Sequence, residues 1–311
     1  MLKNTFLHIP GIGLKTEKRL WKSGIHNWDL FLKNRKTDIA PKKLDIMSEC
    51  LRESKNQMAS LNPNYFAELI PASHHWRFFP EFRNATVYLD IETTGLSRYY
   101  ETITTISLYD GKSIFYYVKD RNLDDFPVDI KQYNVIVTYN GKSFDIPFIE
   151  KYFSIKLNQA HIDLRYILAS LGYKGGLKFC ETRLGFHRGD LTDIDGFFAV
   201  LLWYDYLKNR NEKALETLLA YNIQDVLTLE MLMVISYNLK IKDTPFYVIH
   251  SRQDEIFPLP KVEAMVRILK ANGADVRLEV VKGISHYHTG QFVDSLRGTI
   301  PWIKKIWEKT S

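Results

Sequence analysis

Only two of the 311 residues are cysteines. Cys50 and Cys180 make no metal-ligand spacing and no disulfide framework, which fits a reducing compartment. No cluster of His and Cys offers softer donors to a metal. The N-terminal MLKNTFLHIPGIG has no apolar stretch long enough for a cleavable signal. No run reads as long enough to span a membrane, and no internal repeat or low-complexity tract is present. These absences lead to the expectation of a cytoplasmic protein with no membrane role. What remains is ample for a core: 45% of residues are apolar and 14% aromatic, in a chain longer than one typical domain.

Charge is unevenly spread. Residues 1–83 hold 14 Lys and Arg against 8 acids, a net +6; residues 84–240 hold 17 against 20, a net −3; residues 241–311 hold 11 against 8, a net +3. A basic flank can hold a polyanion electrostatically, in a manner that weakens with salt. An ordinary Lys-rich surface remains the alternative.

The acids of the middle segment carry the chemistry. Residues 86–91 read TVYLDI, a β-branched and apolar run that predicts a buried strand, ended by Thr93, Thr94 and Gly95. Asp90 and Glu92 lie at its C-terminal end, two apart and therefore on one face. A second strand is predicted at residues 134–139 (NVIVTY), punctuated by Asn140-Gly141, with Asp145 in the loop or helical turn after it. Tyr221 and Asp225 stand four apart in a helix predicted over residues 212–237, and share a face. Four carboxylates in one cleft repel one another, and two divalent cations balance them. Mg²⁺ or Mn²⁺ suits an all-oxygen set. A pair of such ions activates water and stabilises the leaving oxygen of a phosphoryl displacement.

The stretches YLDIETTG, YNGKSFD and YNIQD resemble the three motifs of the DEDD group of 3′-5′ exonucleases, with the tyrosine rather than the histidine subtype. Further similarity in VTYNGKSFDIPF, HIDLR, GGLK and RGDLTDIDGFFAVLLWYDY extends over residues 4–240. It points to the ribonuclease-H-like proteins related to bacterial YprB, several of which carry an N-terminal helix-hairpin-helix. The resemblance implies that Asp90, Glu92, Asp145 and Asp225 bind two metal ions and that Tyr221 orients the attacking water. It also implies 3′-5′ cutting with release of nucleoside monophosphates, and it brings Thr94 and Asn140 to the nucleic acid. Asn140 and Phe144 otherwise read as a strand end and a core residue, and His161 and Asp163 as a strand with structural hydrogen bonds.

Two flanking regions complete the layout. In FLHIPGIGLKTEKRLWKSGI, Gly11 and Gly13 precede a helix, similar to a helix-hairpin-helix that grips backbone phosphate; Lys15 and Lys18 add charge. Such a grip gives affinity without sequence preference. From Thr244 onward the chain reads strand, helix, strand, helix and resembles the last part of an α/β-hydrolase, with Asp254 and His286 at the matching positions. No G-x-S-x-G nucleophile elbow accompanies them, so this reads as a remnant serving as a cap or oligomerisation element.

The expected fold is α/β: a ribonuclease-H-like mixed sheet flanked by helices (84–240), preceded by a small helix-hairpin-helix region (1–34) and a helical connector (35–83), and followed by a βαβα segment (243–311). The aromatic HHWRFFPEF of the connector reads as packing against the first strand, with base stacking as the alternative. The expected activity is a metal-dependent nuclease acting on DNA or RNA. A non-catalytic nucleic-acid-binding protein and an esterase are the alternatives.

Overall fold

The computed structural model describes residues 1–33, 39–186, 196–241, 246–255, 257–284 and 293–302. Two compact units emerge, one of residues 1–167 with 195–229 and one of residues 168–194 with 230–311.

The first unit opens with helices α1 (Leu14–Lys22), α2 (Trp28–Lys33), α3 (Pro41–Ala59), α4 (Pro63–Leu69) and the single turn α5 (Phe79–Phe82). Pro41 and Pro63 each occupy a first helical turn, where the missing N–H costs nothing. The aromatic run after α4 is inside: Trp76, Phe78, Phe79 and Phe82 are buried, so these rings pack rather than present faces.

The sheet comes next. Strands β1 (Thr86–Thr93), β2 (Ile103–Tyr109), β3 (Ile114–Val118), β4 (Val135–Thr138) and β5 (Ala160–Asp163) lie in the order β3-β2-β1-β4-β5. β1, β2 and β3 are antiparallel neighbours; β4 and β5 extend the sheet in parallel with β1. This mixed sheet flanked by helices is the ribonuclease-H-like architecture expected from the sequence. Between its strands run α6 (Phe126–Asp129) and α7 (Asp145–Phe153), and α8 (Leu164–Ala169) succeeds β5.

β1 sits in the middle and is covered on both faces. Val87, Leu89 and Ile91 join Ile106, Leu108, Phe126, Phe148 and Ile149 in one apolar core. Period-two alternation then sends Tyr88, Asp90 and Glu92 to the opposite face. Helices α10 (Gly196–Asn209) and α11 (Glu212–Lys240) supply a second core, where Ala199, Trp203, Leu215 and Leu218 meet Val118. A bulge between Glu92 and Thr93 shifts the β1–β2 register at the end of the strand.

The second unit contains α9 (Leu177–Arg183) and a parallel strand pair, β6 (Phe246–Ser251) and β7 (Val276–Val281), joined through α12 (Leu259–Ala271) and followed by α13 (Val293–Gly298). Strand, helix, strand, helix is the succession expected of this segment.

One expectation needs correcting. α11 is long and apolar enough to cross a membrane by length and composition, although no such run was expected. Within this structure 67% of that window is buried in protein. Its apolarity is that of a core helix wrapped by its own chain.

Within the first unit a buried ion pair ties α1 to the connector that precedes α5. Arg77 Nη1 lies 2.9 Å from Glu17 Oε1 and 2.6 Å from Thr5 Oγ1, and the same Glu17 oxygen accepts the Phe6 N–H at 2.7 Å. All three side chains are inside. Removing one partner of such a pair leaves a buried charge uncompensated, which typically costs about 3–5 kcal/mol. We expect Arg77→Met to lower the unfolding free energy by about that amount in urea titration, and Glu17→Gln to do likewise. A loss below about 1 kcal/mol for both would mean that the pair does not anchor α1.

Candidate metal centre

Two separate elements deliver three carboxylates to one place. Asp90 and Glu92 come from the C-terminal end of β1, and Asp225 from the fourth turn of α11. One oxygen from each lies within 4.8 Å of those of the other two. Asp225 and Glu92 are nearly buried, at 5% and 9% exposure. A set of hard oxygen donors this close, poor in water, matches what a divalent cation of the Mg²⁺ or Mn²⁺ kind requires.

Asp145, the fourth predicted acid, is outside this group of three. It begins α7 and is buried. Burial chiefly, then the charge of Asp163 and that of Asp225, push its carboxyl up to about 7; the backbone N–H groups of Asp145 and Ile91 act in the opposite direction. Tyr221 is buried on α11, one turn before Asp225.

The loop that launches α7 is built from β5. Asp163, itself buried, accepts the backbone N–H of Asn140 at 2.8 Å, of Lys142 at 3.1 Å and of Arg165 at 3.0 Å. Asn140 sits in the left-handed region at φ 66°, and Arg165 binds its side-chain carbonyl. A Cβ on Gly141 would stand 2.2 Å from Thr138 Oγ1, so only glycine fits there. Asp163 therefore does structural work, and His161 likewise bonds Thr138 at 2.8 Å. Thr94 accepts the Thr102 N–H at 3.0 Å and donates to Glu101. Thr94 is thus engaged within its own loop, and Asn140 is engaged with the end of β5 and the start of α8.

Asn222 was missed in the sequence. Its side chain is fully buried: the amide N–H donates to Asp90 Oδ2 at 2.7 Å, and its carbonyl accepts from Ser107 Oγ at 2.7 Å and Thr105 Oγ1 at 3.1 Å. Ser107 and Thr105 are the β2 partners of Asp90 and Glu92. The signal was present in YNIQD, where a poor helix former stands inside an apolar helix.

At the N-terminus, Gly11 takes φ 73° and its carbonyl accepts from Lys43 Nζ at 3.0 Å, while Gly13 caps α1 and Lys15 is exposed. In the second unit Asp254 accepts the Phe257 N–H at 2.7 Å, a local turn contact. His286 lies outside the described residues.

Comparison with known proteins agrees with this architecture. Residues 87–237, just under half the chain, match the family model described as RNase_H superfamily. The matched segment includes the three acids and the parts of β1 and α11 that carry them. Among solved structures, the family B DNA polymerase of Pyrobaculum calidifontis is similar at 15% identity and TM-score 0.40, over 60% of this chain and 28% of the polymerase. The chain thus spans less than a third of that protein's length. Brucella melitensis NrnC is similar at 15% identity and TM-score 0.36, over 62% of this chain and 86% of NrnC. A further NrnC structure, described as having bound Mg²⁺, gives 14% identity and TM-score 0.34, over 62% and 86%. No curated protein matches the chain.

Two measurements probe the centre. Asp145 carries its raised value only when folded, so its contribution to stability is fully present below the ordinary carboxyl value of 3.8 and is lost as pH rises through about 7. Without metal, the melting temperature of the wild type should therefore fall from pH 5.5 to 8 relative to that of Asp145→Asn. Buried His8, lowered to about 4 by desolvation, works in the opposite sense, but it is common to both proteins and cancels. Parallel melting curves would show that the fold does not hold a proton on Asp145. Separately, Asn222→Ala should weaken Mn²⁺ binding at least about tenfold in calorimetric titration, as loss of a ligand-orienting partner does. Unchanged affinity would show that Asp90 needs no such guide.

Proposed function

We propose that this chain is a divalent-metal-dependent nuclease, and that it acts as a 3′-5′ exonuclease releasing nucleoside monophosphates from DNA or RNA. The observation that carries the reading is the convergence of Asp90, Glu92 and Asp225 within 4.8 Å, on a ribonuclease-H-like sheet. The family match over residues 87–237 supports it. The 3′-5′ direction rests on the resemblance of YLDIETTG, YNGKSFD and YNIQD to the DEDD motifs.

Asp90, Glu92 and Asp225 would hold the metal ions, two by this reading, and Asp145, the fourth acid, would hold a metal indirectly, through water. When bound, Mg²⁺ or Mn²⁺ supplies positive charge for the scissile phosphate and makes water a competent nucleophile near neutral pH. The protein does the rest. Asn222 fixes the Asp90 carboxylate on β1, so one donor keeps its orientation through turnover. Burial favours the protonated form of Asp145, and a nearby cation would favour its charged form. Tyr221, buried on α11 one turn before Asp225, would hydrogen-bond and aim the attacking water. The basic residues of segment 1–83, with Gly11 and Gly13 before α1 and Lys15 in its first turn, would hold the backbone without sequence preference.

The test uses 5′-labelled single- and double-stranded DNA and RNA with Mg²⁺ or Mn²⁺. We expect a ladder shortening from the 3′ end, abolished by Asp90→Ala. Tyr221→Phe should retain metal binding and lose roughly 10²-fold in turnover. A pure wild-type protein that cleaves none of these polymers with either metal would defeat the proposal, and full speed in Tyr221→Phe would defeat the role of the phenol.

A further inference from the structure

The loop leaving β1 is firmly closed at its base and wide open at its tip. Thr94 N–H donates to Thr102 O at 2.9 Å, the Thr94 hydroxyl bridges Glu101 and the Thr102 N–H, and Glu101 N–H returns to Ser97 O at 2.8 Å. A Cβ on Gly95 would press on the Glu101 side chain at 2.9 Å, so the turn is packed tight. Yet Tyr99 and Tyr100 at its tip are 67% and 90% exposed. A rigid loop gains nothing in stability from two rings in water; burial, not exposure, is what rings contribute to folding.

Two cations attend the first ring. Arg98 lies 5.3 Å from the Tyr99 centroid and Lys151, from α7, lies 5.9 Å from it. Hydrogen bonding by Arg98 also holds the Tyr99 phenol below its ordinary value, with Lys151 adding to the effect. The loop therefore lies between the strand that carries Asp90 and Glu92 and the helix that begins with Asp145. It departs from β1 just past Glu92, whose partner in β2 is Thr105, and it touches the helix that begins with Asp145.

Resting on the nuclease reading, we propose that Tyr99 and Tyr100 form a stacking platform for unpaired bases, with Arg98 and Lys151 receiving the adjoining phosphates, so that the preferred substrate is a single-stranded end rather than a blunt duplex. The observation is two exposed rings, flanked by cations, on a braced loop that opens from the acid-bearing strand. Single-strand binding sites combine these two parts: aromatic faces for any base, and positive charge for the backbone. Paired bases in a blunt duplex already stack on each other and cannot offer their faces to the loop. The aromatic faces also distinguish this occupant from an acidic peptide, which would use the cations and ignore the rings.

The test compares wild type with Tyr99→Ala/Tyr100→Ala. Binding is read first, by fluorescence anisotropy with a labelled ten-nucleotide single strand and a blunt duplex, Ca²⁺ replacing Mg²⁺. We expect wild type to favour the single strand and the double variant to bind it at least about tenfold more weakly, each base stack being worth that order. Tyr99→Phe/Tyr100→Phe should restore binding. Kinetics are read second: KM for the oligonucleotide should rise while hydrolysis of the p-nitrophenyl ester of thymidine 5′-monophosphate, which has no further bases to stack, stays as in wild type. Unchanged affinity in the double variant, equal preference for blunt duplex, or a parallel fall on the small ester overturns the platform. Wild-type binding without cleavage of any polymer would instead defeat the nuclease reading while leaving the platform standing.

Discussion

Like charges held within 4.8 Å push apart, and the candidate centre exists only because the fold opposes that push. One opposing contact is the amide of Asn222. It pins α11 to the sheet by accepting from Ser107 and Thr105 and, through its other end, donates to Asp90. One buried side chain thus sets the approach of the helix carrying Asp225 and the orientation of the strand carboxylate it must meet. In water-poor surroundings such an amide is worth having only when both of its ends are satisfied, and here they are.

The second constraint is the double coverage of β1. Its odd residues need an apolar partner on the α7 side, and its even residues need company on the α11 side. An acid at an even position is carried to the α11 face whether or not it is solvated there. The strand's burial is what makes Asp90 and Glu92 chemically unusual, and the helices that bury it also bring Asp145 and Asp225.

Much of this was legible in the chain. TVYLDI announced a buried strand through β-branching, and alternation put Asp90 and Glu92 on one face; the structure has that strand as Thr86–Thr93. Asn140-Gly141 marked the loop before Asp145 because turn residues signal local backbone directly, as the positive φ of Asn140 bears out. The long helix around Tyr221 was readable from its leucines, but its membrane-like apolarity was not recognised, since composition does not say what covers a helix. Asn222 escaped because its meaning depends on two hydroxyls more than a hundred residues away in β2. The closeness of Asp90, Glu92 and Asp225 was invisible for the same reason: spacing along a chain gives the elements on which acids ride, and only packing gives the distances between them.

The bulge between Glu92 and Thr93 has a further consequence. Up to Glu92 the pairing with β2 is regular, and beyond it the register has already slipped. A strand whose pairing is interrupted at that point is insulated from the loop beyond it. Residues added to or removed from the tip are absorbed past the slip and do not travel back along the ladder to rotate the carboxylates out of place. The loop of residues 94–102 is, in that sense, a detachable cassette. Its tip, residues 96–100, can be exchanged by a protein engineer for that of another chain, provided the base at Thr94, Gly95, Glu101 and Thr102 is kept, while the acid-bearing strand stays fixed.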